Sequence, residues 1–288
     1  MLTTAQPIKA YADFLPAART ASASTEEWTE TDPALPSVYL SHGAPPLLTE
    51  ADWIAQLFAL AQSMPKPRGI VIISAHWEAA PVALTASGGD LVYDFSGFHP
   101  VYRELTYATP DSTRLAQRVA AAMPDGEPVH QHVSRGLDHG AWVPLMAMYP
   151  NADVPVVQMS IPTHDPHQLL DLGRRLGHLR DEGVLVIGSG FMTHGLPFLD
   201  RDAIAGIQVP SWSREFDAWA AEALSTGDIE ALANYRAIAP GVSYAHPTVD
   251  HFVPLFVTFG AATKIEQPAQ TAIDGFWMGL SKRTFVLK

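Results

Sequence analysis

Apolar residues along this chain gather in short unbroken runs rather than in alternating patterns. Residues 37–46 read SVYLSHGAPP, residues 69–78 GIVIISAHWE, residues 154–161 VPVVQMSI and residues 183–191 GVLVIGSGF. Runs of this length, rich in Val and Ile and bounded by turn formers, predict strands buried on both faces. Between and after them the spacing changes. Trp53, Leu57, Phe58 and Leu60 lie on one broad face of a predicted helix from Glu50 to Ser63, and His167 to Leu179 and Ser211 to Leu224 have helical length and spacing. Strand, helix, strand order implies parallel crossover units. The expectation is a single α/β domain over residues 36–288, with a central mostly parallel or mixed sheet flanked by helices. Loops are inserted at YDFSGFHP and near Pro247.

Residues 1–35 show no sustained period and read as an N-terminal arm or strap. Their centre, ASASTEEWTETDPALP, suits an extended or mobile linker. The competing reading is an ordered strap that docks through Tyr11, Phe14 and Trp28.

Composition narrows the chemistry. With no cysteine among 288 residues, disulfides, zinc-thiolate sites, iron–sulfur clusters and thiol nucleophiles are excluded. A metal is not, because imidazoles and carboxylates can supply every ligand. The formal charge of −12 argues against a general nucleic-acid binder, which needs a positive patch. The longest apolar run, Phe252 to Ala262, is too short for a membrane span, and the N-terminus has no hydrophobic signal core, so the cytoplasm is the expected location.

Histidines follow the predicted strands: His42 after VYLS, His76 after IVIISA and His194 after VLVIGSGFMT. Strand ends hold distant segments around one crevice. With His139 in GLDHGAWVPLMAMYP and His251 in AHPTVDHFVPL, five sequence-distant imidazoles become candidates for one centre. Their spacing contains no compact metal motif, so the fold must assemble any site. Imidazole suits iron, zinc, copper or nickel, and three such ligands leave positions open for water or substrate. Each histidine also has a plain structural reading, as a hydrogen-bonded loop residue, a strand or helix residue, or a brace for a glycine-rich turn.

The motifs SHGAPP, ISAHWE, YDFSGFHP, GLDHGAWVPLMAMYP, PVVQMSI, GSGFMTHGL and AHPTVDHFVPL, in this order, resemble the LigB-like class III extradiol dioxygenases. The resemblance spans roughly residues 37–265 and is closest to the branch called 4,5-DOPA extradiol dioxygenases. It implies an extradiol dioxygenase-like catalytic domain that uses non-haem iron(II) and dioxygen to open a catechol ring beside its diol, with a 4-substituted catechol such as DOPA as the candidate substrate. It further implies His42, His76 and His251 as metal ligands, with His246 as a neighbouring competitor for the third place. His194 matches the family's acid/base histidine, close enough to touch the metal, and His139 a second pocket histidine. The protocatechuate-cleaving branch uses two histidines and a glutamate; here Asp250-His251 stands in that region. Three neutral ligands would leave the metal more positive and alter its redox preference; the resemblance implies Fe(II) for activity, with Zn(II) a possible occupant of the purified protein.

Around the histidines, Tyr93, Phe95, Phe98 and His99 read as an aromatic wall or as ordinary loop packing, and Tyr244 and His246 as a C-terminal border. Asp138 and Asp250 are candidates to orient neighbouring histidines. GSG at residues 188–190 lacks the rest of a phosphate-binding motif. Ser41, Ser74 or Ser189 would serve a hydrolase, but no nucleophile elbow accompanies them. A zinc hydrolase built on the same histidines and a non-catalytic metal-binding interaction protein remain as alternatives. The sequence leaves oligomeric state open.

Overall fold

The computed structural model describes residues 7–124, 126–264 and 266–288. The four apolar runs become strands β1 (Ser37–Ser41), β2 (Gly69–Glu78), β5 (Val156–Ile161) and β6 (Val184–Gly190). Around them lie the short strands β3 (Ala83–Leu84), β4 (His130–Gln131), β7 (Gln270–Ile273) and β10 (Thr284–Leu287). The eight form one sheet in the order β4-β3-β5-β2-β6-β1-β10-β7. The central pairs β5–β2, β2–β6 and β6–β1 are parallel, whereas β1–β10, β10–β7 and β3–β5 are antiparallel. The expected α/β domain therefore forms, and its sheet is mixed. A separate hairpin pairs β8 (Phe276–Trp277) with β9 (Leu280–Ser281).

Helices cover both faces, which is why the parallel strands need no polar side. Val71 and Ile73 of β2 point into a core shared with α3 (Thr113–Ala121), α5 (Pro166–Gly177), α6 (Ser211–Thr226) and α7 (Pro254–Ala261). Ile70 and Ile72 alternate to the other face, against α2 (Ala51–Gln62) and α4 (His139–Met148). The predicted helices at 50–63, 167–179 and 211–224 appear with shifts of a few residues at their ends. α4 and α7 escaped prediction because every residue in them is buried. A helix that is apolar all round has no period to read.

Helix α1 (Lys9–Ala23) lies where the sequence showed no regular element. Its inward face is thin: Tyr11, Ala18 and Ser22 are buried, Tyr11 donates its hydroxyl to Met146 O, and Phe14 meets Phe58 edge-on at 5.4 Å. Residues 24–36 carry no helix or strand beyond an isolated bridge between Glu27 and Lys66. Trp28 is buried there and donates its indole N–H to Pro33 O. Among the described residues no helix is long and apolar enough to cross a membrane.

The C-terminal strands are fastened to the parallel sheet by polar bonds as well as by the ladder. Ser41 Oγ donates to Arg283 O at 2.8 Å, and Thr284 Oγ1 accepts from Ser41 N at 3.1 Å. Arg283 in turn forks onto Asp217 of α6, with Nε to Oδ1 at 2.8 Å and Nη2 to Oδ2 at 2.7 Å, while Ser281 Oγ donates to the same carboxylate. Asp217 is 7% exposed, so its removal would strand a guanidinium in a place poor in water. Asp217→Ala is expected to destabilise the protein by about 3–5 kcal/mol, measured by urea unfolding. A loss under about 1 kcal/mol would mean that the pair behaves like a solvated surface bridge.

Candidate metal centre

Three parallel strands deliver their following residues to the same edge of the sheet. His42 directly follows β1 and continues its ladder by donating N–H to Gly190 O at 3.0 Å. His76 lies in the last part of β2, beyond the final β2–β6 register pair, Ser74 with Ser189. His194 sits on the loop that leaves β6, its N–H donated to Ala245 O at 2.7 Å. His139 is the first residue of α4, and His251 occupies the turn before α7. All five histidines line one cavity of about 270 Å³.

Close approach of backbone makes this possible at two glycines. A Cβ on Gly140 would overlap Ser74 Oγ and lie 3.0 Å from His76 Cδ2, and one on Gly190 would overlap the carbonyl of His251. No side chain fits at either position without displacing the cluster.

The Nε2 atoms of His42 and His76 are 3.0 Å apart, and those of His76 and His251 are 3.3 Å apart. Their protonation follows from the partners on the other ring nitrogens. Ser189 Oγ donates its one proton to Gly140 O at 2.5 Å, so it accepts from His42 Nδ1 at 2.9 Å. His251 Nδ1 donates to Asp250 Oδ2 at 2.5 Å. Protons held at Nδ1 leave the Nε2 atoms of His42 and His251 as bare lone pairs. Between them His76 Nε2 can donate to at most one, so at least one lone pair faces another. A divalent cation accepting all three lone pairs removes that conflict, and neutral imidazole is a fitting donor for iron or zinc.

Asp94 ties the remaining rings together. Its Oδ1 accepts from His139 Nδ1 at 2.7 Å and from His139 N at 3.2 Å, while its Oδ2 lies 3.5 Å from His76 Nδ1. Burial pushes Asp94 upward, but the bonds from His139 outweigh it and hold the carboxyl below its usual range. Asp250 behaves likewise: burial raises it, and the bond from His251 brings it well below the ordinary carboxylate value. His42, His76 and His194 are all pushed well below 6.5, first by burial and then by the neighbouring imidazoles. His194 stacks flat on His251 at 3.4 Å between ring centres, and its side chain, Asp250 and His251 form a second cluster of donor atoms beside His42, His76 and His139.

Other candidates fall outside the cavity. His246 turns away, its Nε2 donating to Met192 O at 2.9 Å and its ring packed on Phe216 and Phe252. Burial pushes it down to about 3, and its bond to Met192 braces the loop that carries His194. Tyr244 stands half-exposed against Phe198, His99 accepts from Val101 N, and Tyr93 donates to Leu105 O behind Phe95. Phe95 and Phe98 do line the cavity. Asp138 is fully buried and touches no histidine ring; it accepts from Ser74 Oγ and Gln158 Nε2. The hydroxyls of Ser41, Ser74 and Ser189 are buried and committed to partners, which disarms all three as nucleophiles.

The sequence gives no sign of Asp94's role although it sits inside the quoted YDFSGFHP loop, and it suggests Ser189 only as a hydrolase nucleophile, not as the partner of His42. Nor does it point to the cavity's far side, which is built from Leu196, Trp277, Met278 and Leu280. An Asp between two aromatic residues was the one signal available; nothing in the local pattern of residues 276–281 points at the cavity.

A histidine centre at the carboxyl edge of a mixed α/β sheet, with the rings of His42, His139 and His251 each bonded to an outer acceptor, has the form of a metal-dependent enzyme site. The family model described as the catalytic LigB subunit of aromatic ring-opening dioxygenase matches residues 37–272, and the chain belongs to that family as a class III extradiol ring-cleavage enzyme. It is 39% identical over 257 residues to the 4,5-DOPA dioxygenase extradiol of Beta vulgaris, covering 84% of this chain and 91% of that one. A protein of the same name from Escherichia coli is 31% identical over 252 residues, covering 85% and 91%. The crystal structure of an uncharacterized protein from Escherichia coli K12 superposes with a TM-score of 0.72 at 30% identity, covering 88% of this chain and 100% of that one.

Asp94→Asn keeps the size of the side chain and removes the charge that orients His76 and His139. Metal affinity is expected to fall by about 10–100-fold, read by competition with a chelator; unchanged affinity would remove Asp94 from the centre. The depressed histidines also set a pH dependence. They bind fewer protons folded than unfolded, so stability is complete above pH 6.5 and is lost as pH falls below it, by up to about 1.4 kcal/mol per pH unit for each ring. Urea midpoints of the metal-free protein should therefore drop between pH 7 and pH 5, and a flat profile would contradict the neutral assignment.

Proposed function

We propose that the protein uses iron(II) and dioxygen to open the ring of a catechol bearing a substituent at position 4, with His42, His76 and His251 holding the metal and His139 and His194 acting on the substrate. The observation that carries this reading is the meeting of three imidazole nitrogens whose other ring nitrogens are committed, or drawn, to outer acceptors. Iron(II), when bound, supplies a redox-active centre that orients the diol and dioxygen together.

The chain's own groups handle protons and shape. Burial holds His194 well below 6.5, so the ring is neutral and keeps a lone pair for the proton of a catechol hydroxyl; the same burial weakens it as a base and makes its charged form ready to give the proton back. His139, bound to Asp94 through Nδ1, retains Nε2 for a substrate oxygen. Aromatic and aliphatic side chains exclude water around a flat ring. A volume of about 270 Å³ lies at the small end of ligand cavities, which suits one ring with a short substituent. The plant and bacterial relatives are named for DOPA, a catechol substituted at position 4.

Protein reconstituted with iron(II) under argon should, on admission of air, consume dioxygen and catechol in equal amounts and yield a ring-opened product. The zinc-loaded protein should leave the ring intact, since zinc has no redox chemistry. His42→Ala, His76→Ala and His251→Ala should lose metal and activity together. His194→Ala should keep the metal while kcat falls by roughly 10²–10⁴-fold. Failure of the folded, iron-loaded protein to open any catechol in a substituted panel would end the proposal.

A further inference from the structure

Apart from the histidines, Asp94 and Ser96, the residues that line the cavity are apolar or glycine. Phe95 and Phe98 come from the loop before residue 100, Leu196 from the loop after His194, and Trp277, Met278 and Leu280 from the β8–β9 hairpin. Among the described residues lining the cavity no lysine or arginine occurs, and the one carboxylate is Asp94. Nearby arginines are already engaged elsewhere. Arg103 lies 5.2 Å from the centre of the Phe95 ring and donates to Phe95 O, Arg135 covers Trp77 at 4.5 Å and reaches Asp138, and Arg283 is forked onto Asp217. The outer rim continues the apolar surface, with Leu196 52%, Phe198 43% and Tyr244 50% exposed.

The hairpin is built to hold this surface in place. Met278 and Gly279 join β8 to β9 with φ of 50° and 75°, the two left-handed residues of a type I′ turn. Glycine adopts that backbone freely, whereas methionine does so at a cost of about 1–2 kcal/mol. Such an outlier is informative where its side chain lines a cavity, as Met278 does. Its neighbours are anchored: Ser281 N donates to Thr193 Oγ1 at 2.7 Å, beside His194, and Ser281 Oγ donates to Asp217.

We propose that this wall selects catechols whose ring substituent is uncharged and apolar, and disfavours those carrying a carboxylate, an inference that rests on the ring-opening activity proposed above. A carboxylate in this cavity would lose water, find no cation among the described lining residues and approach Asp94. An alkyl group of the same size loses nothing polar and covers Leu196 and the hairpin. DOPA, with a carboxylate on its side chain, belongs to the disfavoured class.

The test uses two catechols of closely matched size, 4-isobutylcatechol and 3,4-dihydroxyphenylacetate, with the iron(II)-loaded protein. Under argon, where the oxidant for ring opening is withheld, calorimetry should show the isobutyl compound bound at least about tenfold more tightly. In air, kcat/KM should favour it by a similar factor. Equal binding, or tighter binding of the carboxylate, overturns the inference. A binding preference with neither ring opened in air overturns the catalytic reading and leaves this one standing. Leu196→Arg and Leu196→Lys place a cation at a half-exposed rim position. Each should shift the ratio of the two substrates at least about tenfold toward the carboxylate, whereas Leu196→Met should keep it. A ratio unmoved by both cations would remove Leu196 from the path of the substituent and overturn the assignment of the wall.

Discussion

Lone pairs of neutral imidazoles repel when brought to hydrogen-bonding distance without a proton between them, and that conflict lies at the centre of this fold. His42 and His251 donate their Nδ1–H groups to Ser189 and Asp250, and His76 lies between them at 3.0 and 3.3 Å. Rotation of the rings would relieve the repulsion, but the outer acceptors fix them. The surrounding structure must therefore hold three donors in an arrangement that is unfavourable until a cation joins them. It does so with its most rigid parts: parallel strands buried on both faces, and glycines at 140 and 190 where backbone and rings meet without space for a methyl group. Preorganisation of this kind moves the energetic burden from metal binding to folding.

Electrostatics around the centre follow from the same arrangement. Five imidazoles share one cavity, and protonation of His42, His76 or His194 would meet the loss of water as well as the neighbouring rings. Asp94 and Asp250 accept from ring nitrogens rather than converging on the Nε2 cluster themselves. The negative charges thus orient donors without neutralising the cation the donors would hold. A net charge of −12 is remote from this balance; what acts on the site are two carboxylates placed on the outer sides of the rings.

Legibility in the sequence followed physical simplicity. Parallel strands buried on both faces announce themselves as continuous apolar runs, and the histidines after VYLS and IVIISA could be assigned to strand ends before any contact was known. The competition between His246 and His251 could not be resolved from spacing, because it depends on direction: one ring faces Met192 O and the other His76. Helices α4 and α7 lacked a polar stripe to reveal their period, and α1 buries too little to show one. Asp94 was hidden for a different reason. A carboxylate's role in a histidine cluster is set by which rings the chain brings beside it, and His139 lies 45 residues away.

Selection and chemistry in this protein share one frame. The hairpin that carries Trp277 and Met278 runs directly into Ser281, Arg283 and β10, and β10 pairs with β1, the strand that leads into His42. Ser281 N also bonds to Thr193, adjacent to His194. The apolar wall and the histidine rings are consequently tied to one another by backbone ladders and buried polar bonds. In the proposed reaction a flat ring bound through two oxygens would couple position on the ring to the chemistry of the substituent: a group directed at the wall would have to suit its apolar surface for the diol to reach the histidines. The methionine kept in a left-handed turn fits this requirement, since the strain it introduces is held by the anchoring of Ser281 and Arg283, which follow the turn.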